Sequence, residues 1–366
     1  MGLVSIPLRT VYDLNIGRPM PRIIEVDTRM LPKPWNVFCR QNRIRLFAVL
    51  GYENEVENMK LWPAGNMIAC GIDRLEYRGK TKIVDSSSGN EVKGLEFVRA
   101  EIRRRWPEFP IEKTVAVIPR STPEAKANAL LDDGLELEYA ENSLAAMTLA
   151  AELAEKNGWW YIRQYWNDDN AGAYPPIARH IAHQLPELGA MGIGVGSGGA
   201  CSGTMQTLLD ELEDPALQIR RAGQKLLRVA VVVEDNETVD GVRSEAALEP
   251  GSLDWRTPIE DVRFVGAERS LIMSAALWRH EPGSDYEPCY GGISTGFQAE
   301  GTLLALRRLA IMRRLGPLRD REGNLQAAFF AHDTRKPYRA KYEEKGIFLS
   351  EEEWQLPSFS SADFAI

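Results

Sequence analysis

Short apolar runs alternate with helix-forming stretches along most of this chain, and that alternation limits the fold more than any other feature. Ile44–Leu50, Thr81–Val84, Thr114–Ile118, Leu135–Tyr139, Met191–Val195, Leu226–Val233 and Gln326–Ala331 read as strands. Val92–Arg105, Thr122–Leu131, Ser143–Lys156 and Thr302–Leu315 read as helices, the third with Leu149 and Leu153 on its apolar face. Strands spaced by helical patterns imply mainly parallel sheets with helices on their faces, an α/β fold. The chain has 366 residues. Single cores stop growing near about 250–300 residues, so two domains are expected.

Composition narrows the function classes. The net charge of −8 argues against a nucleic-acid backbone as partner, and the nine tryptophans have no basic stripe to interleave with. No stretch approaches the roughly 20 apolar residues of a membrane span. Met1–Thr10 carries one arginine and no long apolar run, so it does not read as a secretory leader. Cys39, Cys70, Cys201 and Cys289 are scattered without a CxxC pair, which suits reduced thiols and a cytoplasmic protein. His180 and His183 are spaced i,i+3 on an expected helix, but no ligand cluster accompanies them, and no metal site is expected.

In parallel α/β folds, ligands sit at the carboxyl ends of the strands. Three loops follow strands directly: Asp85–Asn90, Gly194–Ala200 and His332–Arg335. Gly196-Ser197-Gly198-Gly199 lies between a strand and a helix expected to begin near Thr204. Glycines let backbone N–H groups turn toward one point, and a helix N-terminus adds a favourable dipole, so the loop suits a phosphate. It lacks the Lys-Ser/Thr of a P-loop and the GxGxxG spacing, and a plain tight turn accounts for it as well.

Taken together, the loops resemble those of the cysteine synthase and cystathionine β-synthase family, the fold-type-II pyridoxal-phosphate enzymes. The family's GVGTGGT phosphate loop reads Gly194-Val195-Gly196-Ser197-Gly198-Gly199-Ala200. Its TSGNTG substrate loop reads Ser87-Ser88-Gly89-Asn90-Glu91-Val92. Its strand, Asn-Pro turn and SVKDR segment align without gaps over Leu46–Ile68, with Asn54 in the turn and Lys60 at the Schiff-base lysine. QF-x-NPAN reads Gln164-Tyr165-Trp166-Asn167, GISSG reads Gly292–Gly296, and PDS-x-x-x-Y reads Asp333–Tyr338. The resemblance covers about Ile16 to Tyr338.

The resemblance implies two α/β domains with twisted, mainly parallel sheets and pyridoxal 5'-phosphate between them. Residues 46–166 would form the smaller domain with the substrate loop. Residues 1–45 with 167–340 would form the larger, and 341–366 a C-terminal tail. It also implies a homodimer. Lys60 would carry the cofactor and, once displaced by substrate, act as the base at Cα; burial beside a cofactor favours its neutral form. Asn90 would bond the ring oxygen, the alternative being a helix cap. The N–H groups of Gly196, Ser197, Gly198, Gly199 and Ala200 would hold the phosphate. Thr334 would face the ring nitrogen, with Asp333 its rival. Ser87, Ser88, Gly89, Glu91 and Gln164 would line the substrate site, though Gln164 also reads as a satisfied boundary residue.

Departures from the family cluster around the substrate rather than the phosphate. Glu91-Val92 replace Thr-Gly, Leu61-Trp62 follow the lysine in place of Asp-Arg, and the Asn-Pro turn reads Asn54-Glu55-Val56-Glu57. A charge at Glu91 about 4 Å from a substrate carboxylate would cost roughly 4 kcal/mol at an effective dielectric of 20. Glu91 must therefore point away, carry a proton, cap the following helix, or meet a cation on the substrate. The expected reaction is β-replacement on an O-activated serine, O-acetyl- or O-phosphoserine, through an α-aminoacrylate that a small nucleophile then attacks. A sulfur nucleophile gives a cysteine-like product, and an amine gives a diaminopropionate. The alternatives are an elimination lyase or deaminase and, against the retention of Lys60, Asn90 and Thr334, a non-enzymatic scaffold relative.

Overall fold

The structure, a computed structural model, describes residues 20–87, 89–212, 214, 221, 223–244, 253–279, 281 and 284–347. The leader reading of Met1–Thr10, Ser88 and most of the expected tail lie outside them. The described strands are β1 (Ile23–Val26), β2 (Ile44–Leu50), β3 (Lys82–Ser86), β4 (Lys113–Pro119), β5 (Glu136–Ala140), β6 (Trp160–Tyr161), β7 (Leu188–Gly194), β8 (Leu227–Val233), β9 (Asp261–Val265) and β10 (Leu325–Ala331). They form two sheets in two compact units. Among the described residues, Met59–Ala173 make up one unit, and Met20–Asn58 with those from Tyr174 to Ile347 make up the other.

The smaller unit holds four parallel strands in the order β5-β4-β3-β6. Val84, Val115 and Val117 point from the sheet into a cluster with Ala146 and Ala150 of helix Ser143–Asn157. That helix has clear local signals. Asn142 accepts a hydrogen bond from the Ala145 N–H at its start, and Gly158, at φ 65, closes its end. Helices Leu61–Asp73 and Asn90–Arg105 pack closely because Gly94 has no side chain. A Cβ there would lie 2.9 Å from the Lys60 carbonyl oxygen and 3.0 Å from Ala64 Cβ.

The larger unit holds six strands in the order β1-β2-β10-β7-β8-β9, with β1 antiparallel and the rest parallel. Strands β7 and β10 are buried along their whole length, as continuous apolar strands covered on both faces should be. Helix Ile293–Ile311 crosses this sheet and starts well before the expected Thr302. Its glycines read as loop, yet they serve helix packing: a Cβ on Gly296 would strike the Ser270 carbonyl oxygen, and one on Gly301 would strike Val231.

The expected boundary before Leu46 is corrected. β2 pairs with β1 and β10 in the six-stranded sheet, so residues 46–58 belong to the larger unit. The helix after the glycine loop begins at Gly199 rather than near Thr204. Cys39, Cys70, Cys201 and Cys289 are separate thiols. Among the described residues, no helix is long and apolar enough to cross a membrane, and no group of His, Cys, Asp and Glu side chains is arranged to hold a metal.

Candidate active site

In the smaller unit, Lys60 occupies the position just ahead of helix Leu61–Asp73, and its Nζ lies 2.9 Å from Glu91 Oε2. Glu91 is the second residue of helix Asn90–Arg105 and is only 2% exposed. The close approach through Gly94 sets these two helix starts side by side. Glu91 therefore turns inward and meets a cation of the protein itself, an arrangement absent from the sequence-based options. No hydrogen bond to its carboxylate is described beyond that ion pair.

Asp85 is the penultimate residue of β3 and is fully buried. Its Oδ1 accepts the Ser86 N–H at 2.8 Å and its Oδ2 the Gln164 N–H at 3.3 Å. Burial, and then the neighbouring Glu91 charge, push its carboxyl from the usual 3.8 up to about 7, against the pull of those amides and of Lys60. Asp85 stood in the sequence as part of a loop and received no role. An acid at the end of an apolar strand was the available signal.

This shift has a consequence for stability. The folded chain binds the Asp85 proton more tightly than the unfolded one, so the contribution is fully present below 3.8 and is lost as pH rises through about 7. Over that window the loss reaches at most about 4 kcal/mol. Asp85→Asn should flatten the fall in unfolding free energy, measured by urea denaturation of cofactor-free protein across pH. Parallel pH profiles for the two proteins would refute it.

The loop around these groups is braced from within. Ser87 Oγ accepts the Gly89 N–H at 3.4 Å, and Gly89 holds the N-cap position of the helix. Asn90 is the first helical residue, so it does not cap the helix. Buried Gln164 donates from Nε2 to the Ser86 carbonyl oxygen at 3.1 Å and accepts Asn170 Nδ2 at its own carbonyl at 2.8 Å. Gln164 thus supports the loop's backbone. Lys126, unremarked in the sequence, reaches the same loop: a Cβ on Gly89 would lie 3.2 Å from its Cε.

In the larger unit, β7 runs into the glycine loop. The Gly194 N–H donates to Gln298 Oε1 at 3.1 Å and the Val195 N–H to the Val231 carbonyl at 2.9 Å. Gly196 has no room for a side chain, because a Cβ would strike the Gly241 carbonyl oxygen. Gly198 has φ +87, and a Cβ there would come 2.9 Å from the Leu253 carbonyl oxygen. Ser197 is buried, and helix Gly199–Leu212 starts at the next glycine pair. First-turn N–H groups, here those of Gly199, Ala200 and Cys201, lack acceptors within the helix. A glycine cradle that opens onto such a helix fits a phosphate monoester.

Also in the larger unit, Thr334 is 1% exposed, and its Oγ1 lies 3.4 Å from Glu57 Oε2, whose other oxygen holds Lys336 Nζ at 2.6 Å. Asp333 is committed elsewhere: Oδ1 accepts Ser294 Oγ at 2.9 Å and Oδ2 accepts the Tyr338 hydroxyl. Its backbone carbonyl accepts the Gly292 N–H at 2.8 Å. With both carboxylate oxygens engaged, Asp333 is the less available of the two rivals for a ring nitrogen.

The smaller unit sets a lysine beside a polar loop, and the larger unit carries a glycine loop at a helix start that suits a phosphate. Comparison with known families agrees: the chain belongs to the pyridoxal-phosphate dependent enzyme family, whose model matches residues 34–294. Its cofactor is pyridoxal 5'-phosphate, and its fold is that of the fold-type-II enzymes. O-ureido-L-serine synthase superposes with a TM-score of 0.68 at 19% identity, over 97% of this chain and 99% of that one. Cysteine synthase from Entamoeba histolytica gives 0.69 at 14% identity, over 96% and 95%. The O-acetylserine dependent cystathionine β-synthase from Helicobacter pylori gives 0.64 at 20%, over 95% and 100%.

Proposed function

We propose that this enzyme catalyses β-replacement on an O-activated serine, O-acetyl- or O-phosphoserine, with a small sulfur or amine nucleophile. The observation that carries this reading is the pair of Lys60 with buried Glu91 at the start of helix Asn90–Arg105. It is supported by two proteins that share the fold, an O-ureido-L-serine synthase and an O-acetylserine dependent cystathionine β-synthase.

Bound pyridoxal phosphate supplies an electron sink for charge that develops at the substrate Cα. In this reading Lys60 anchors the cofactor and carries the proton to and from Cα. The amides of Gly196–Ala200, with Ser197, hold the phosphate. Asn90 bonds the ring oxygen, and Thr334 meets the ring nitrogen with a neutral hydroxyl. That weakens the sink and favours loss of a β-substituent over racemisation. Ser87, Ser88 and Gly89 receive the substrate carboxylate, with Gln164 bracing the loop that presents them. The protein works as a cytoplasmic homodimer.

The test offers each activated serine to the loaded enzyme, alone and with sulfide, a thiol or an amine, and follows the released acetate or phosphate, pyruvate and β-substituted alanine. Replacement requires the alanine product to appear only with a nucleophile. Pyruvate formed equally with and without one assigns a lyase instead, an activity in keeping with the hydrogen sulfide-producing enzyme from Fusobacterium nucleatum, which shares this fold at 18% identity and a TM-score of 0.65. Release from neither serine overturns both.

A further inference from the structure

Three charged groups from three elements meet at one point of the smaller unit. Lys60 leads helix Leu61–Asp73, Glu91 lies in the first turn of helix Asn90–Arg105, and Asp85 is the penultimate residue of β3. Two of the three are carboxylates at least nine-tenths buried, and the amine pairs with one of them, Glu91. Lys126, from helix Glu124–Asp132, is the other charged side chain described against this loop. The remaining polar neighbours, Ser86 and Gln164, are neutral, and Ser86 Oγ is buried without a hydrogen-bond partner.

We propose that Glu91, backed by Asp85, is a positioning residue for Lys60: the acid pair holds the lysine as an ammonium whenever it is not bonded to the cofactor, and takes its proton when it is. This rests on Lys60 as the cofactor anchor. Bonding to an aldehyde needs the neutral amine. The nitrogen attacks the aldehyde carbon, a carbon–nitrogen double bond forms, and the aldehyde oxygen leaves as water. The proton given up by the ammonium passes to Asp85. Asp85 is suited to hold it near neutral pH, since burial and Glu91 raise its carboxyl to about 7. When substrate later frees Lys60 and the lysine takes the Cα proton, the same carboxylate stabilises the ammonium and slows return of that proton to Cα.

Cofactor-free protein mixed with pyridoxal phosphate across a pH series tests this, with visible absorbance reporting bond formation and borohydride reduction plus peptide mapping reporting the lysine. Glu91→Gln removes the charge that favours the ammonium. At neutral pH it should capture the cofactor several-fold faster than wild type. The two rates should converge at high pH. Glu91→Thr, which also removes the charge, should behave alike and guards against a folding fault in the first variant. Superimposable pH profiles, or slower capture in both variants, with the label still on Lys60, overturn the positioning role. A label on another lysine removes the anchor reading itself.

Discussion

Lys60→Ala is expected to lower turnover by more than about 10³-fold, because under the proposed function it removes the covalent anchor and the base at Cα together. The glycine cradle should still retain cofactor through the phosphate, so the variant should bind pyridoxal phosphate without the visible signature of a lysine adduct. A second effect follows from the ion pair. Without Lys60, the Glu91 carboxylate is left buried beside Asp85 and loses its ion pair. Breaking a buried pair from one side costs about 3 kcal/mol or more. Lys60 is itself 21% exposed at its side chain, so the lower end of that range applies. Adding Glu91→Gln to Lys60→Ala should recover stability but not activity. Urea midpoints of the two single variants and the double variant measure this coupling, and strictly additive changes would show that the pair carries no energy.

Gly196→Ala is the second large effect. The added methyl meets the Gly241 carbonyl oxygen, which is backbone and cannot swing aside as a long side chain can. Either the loop or the 241–243 segment must shift, and overpacking of this kind costs about 1–3 kcal/mol. The loop's N–H groups would then no longer converge, and affinity for pyridoxal phosphate should fall at least about tenfold, the equivalent of 1.4 kcal/mol. Gly316→Ala is the matched control in the same unit, since a Cβ there meets nothing within 4 Å. Cofactor titration and thermal unfolding of both variants decide the matter. Unchanged affinity in Gly196→Ala would take the phosphate away from this loop.

Glu91 shows where sequence reasoning stopped. Its departure from the family pattern was visible, as was the cost of an unpaired charge at that position. Its partner was not, because the Lys60 contact depends on how closely two helices approach, and that is set by Gly94, which looks like any other glycine in a row of letters. Asp85 was hidden for the same reason: its carboxyl is raised first by burial and then by Glu91, and both depend on how distant segments fold around it.

Strands β2, β8 and β10 were legible because burial on both faces demands unbroken apolar runs, and such runs survive in the sequence whatever surrounds them. Strands β1 and β9 were missed. Both are edge strands with mixed burial, whose place comes from pairing with a neighbour rather than from their own pattern. The start of helix Ile293–Ile311 was missed because its glycines read as loop, whereas their purpose is contact with Ser270 and Val231. The sequence by itself determined the α/β alternation, the glycine cradle and the order of the family motifs, since each depends on neighbours along the chain. Only the tertiary structure decided that β2 belongs to the larger sheet, that Asp333 is engaged by Ser294 and Tyr338, and that Lys60 lies against Glu91. Those outcomes depend on backbone approach and burial between distant segments, where a single missing Cβ or a displaced water shell sets the energy.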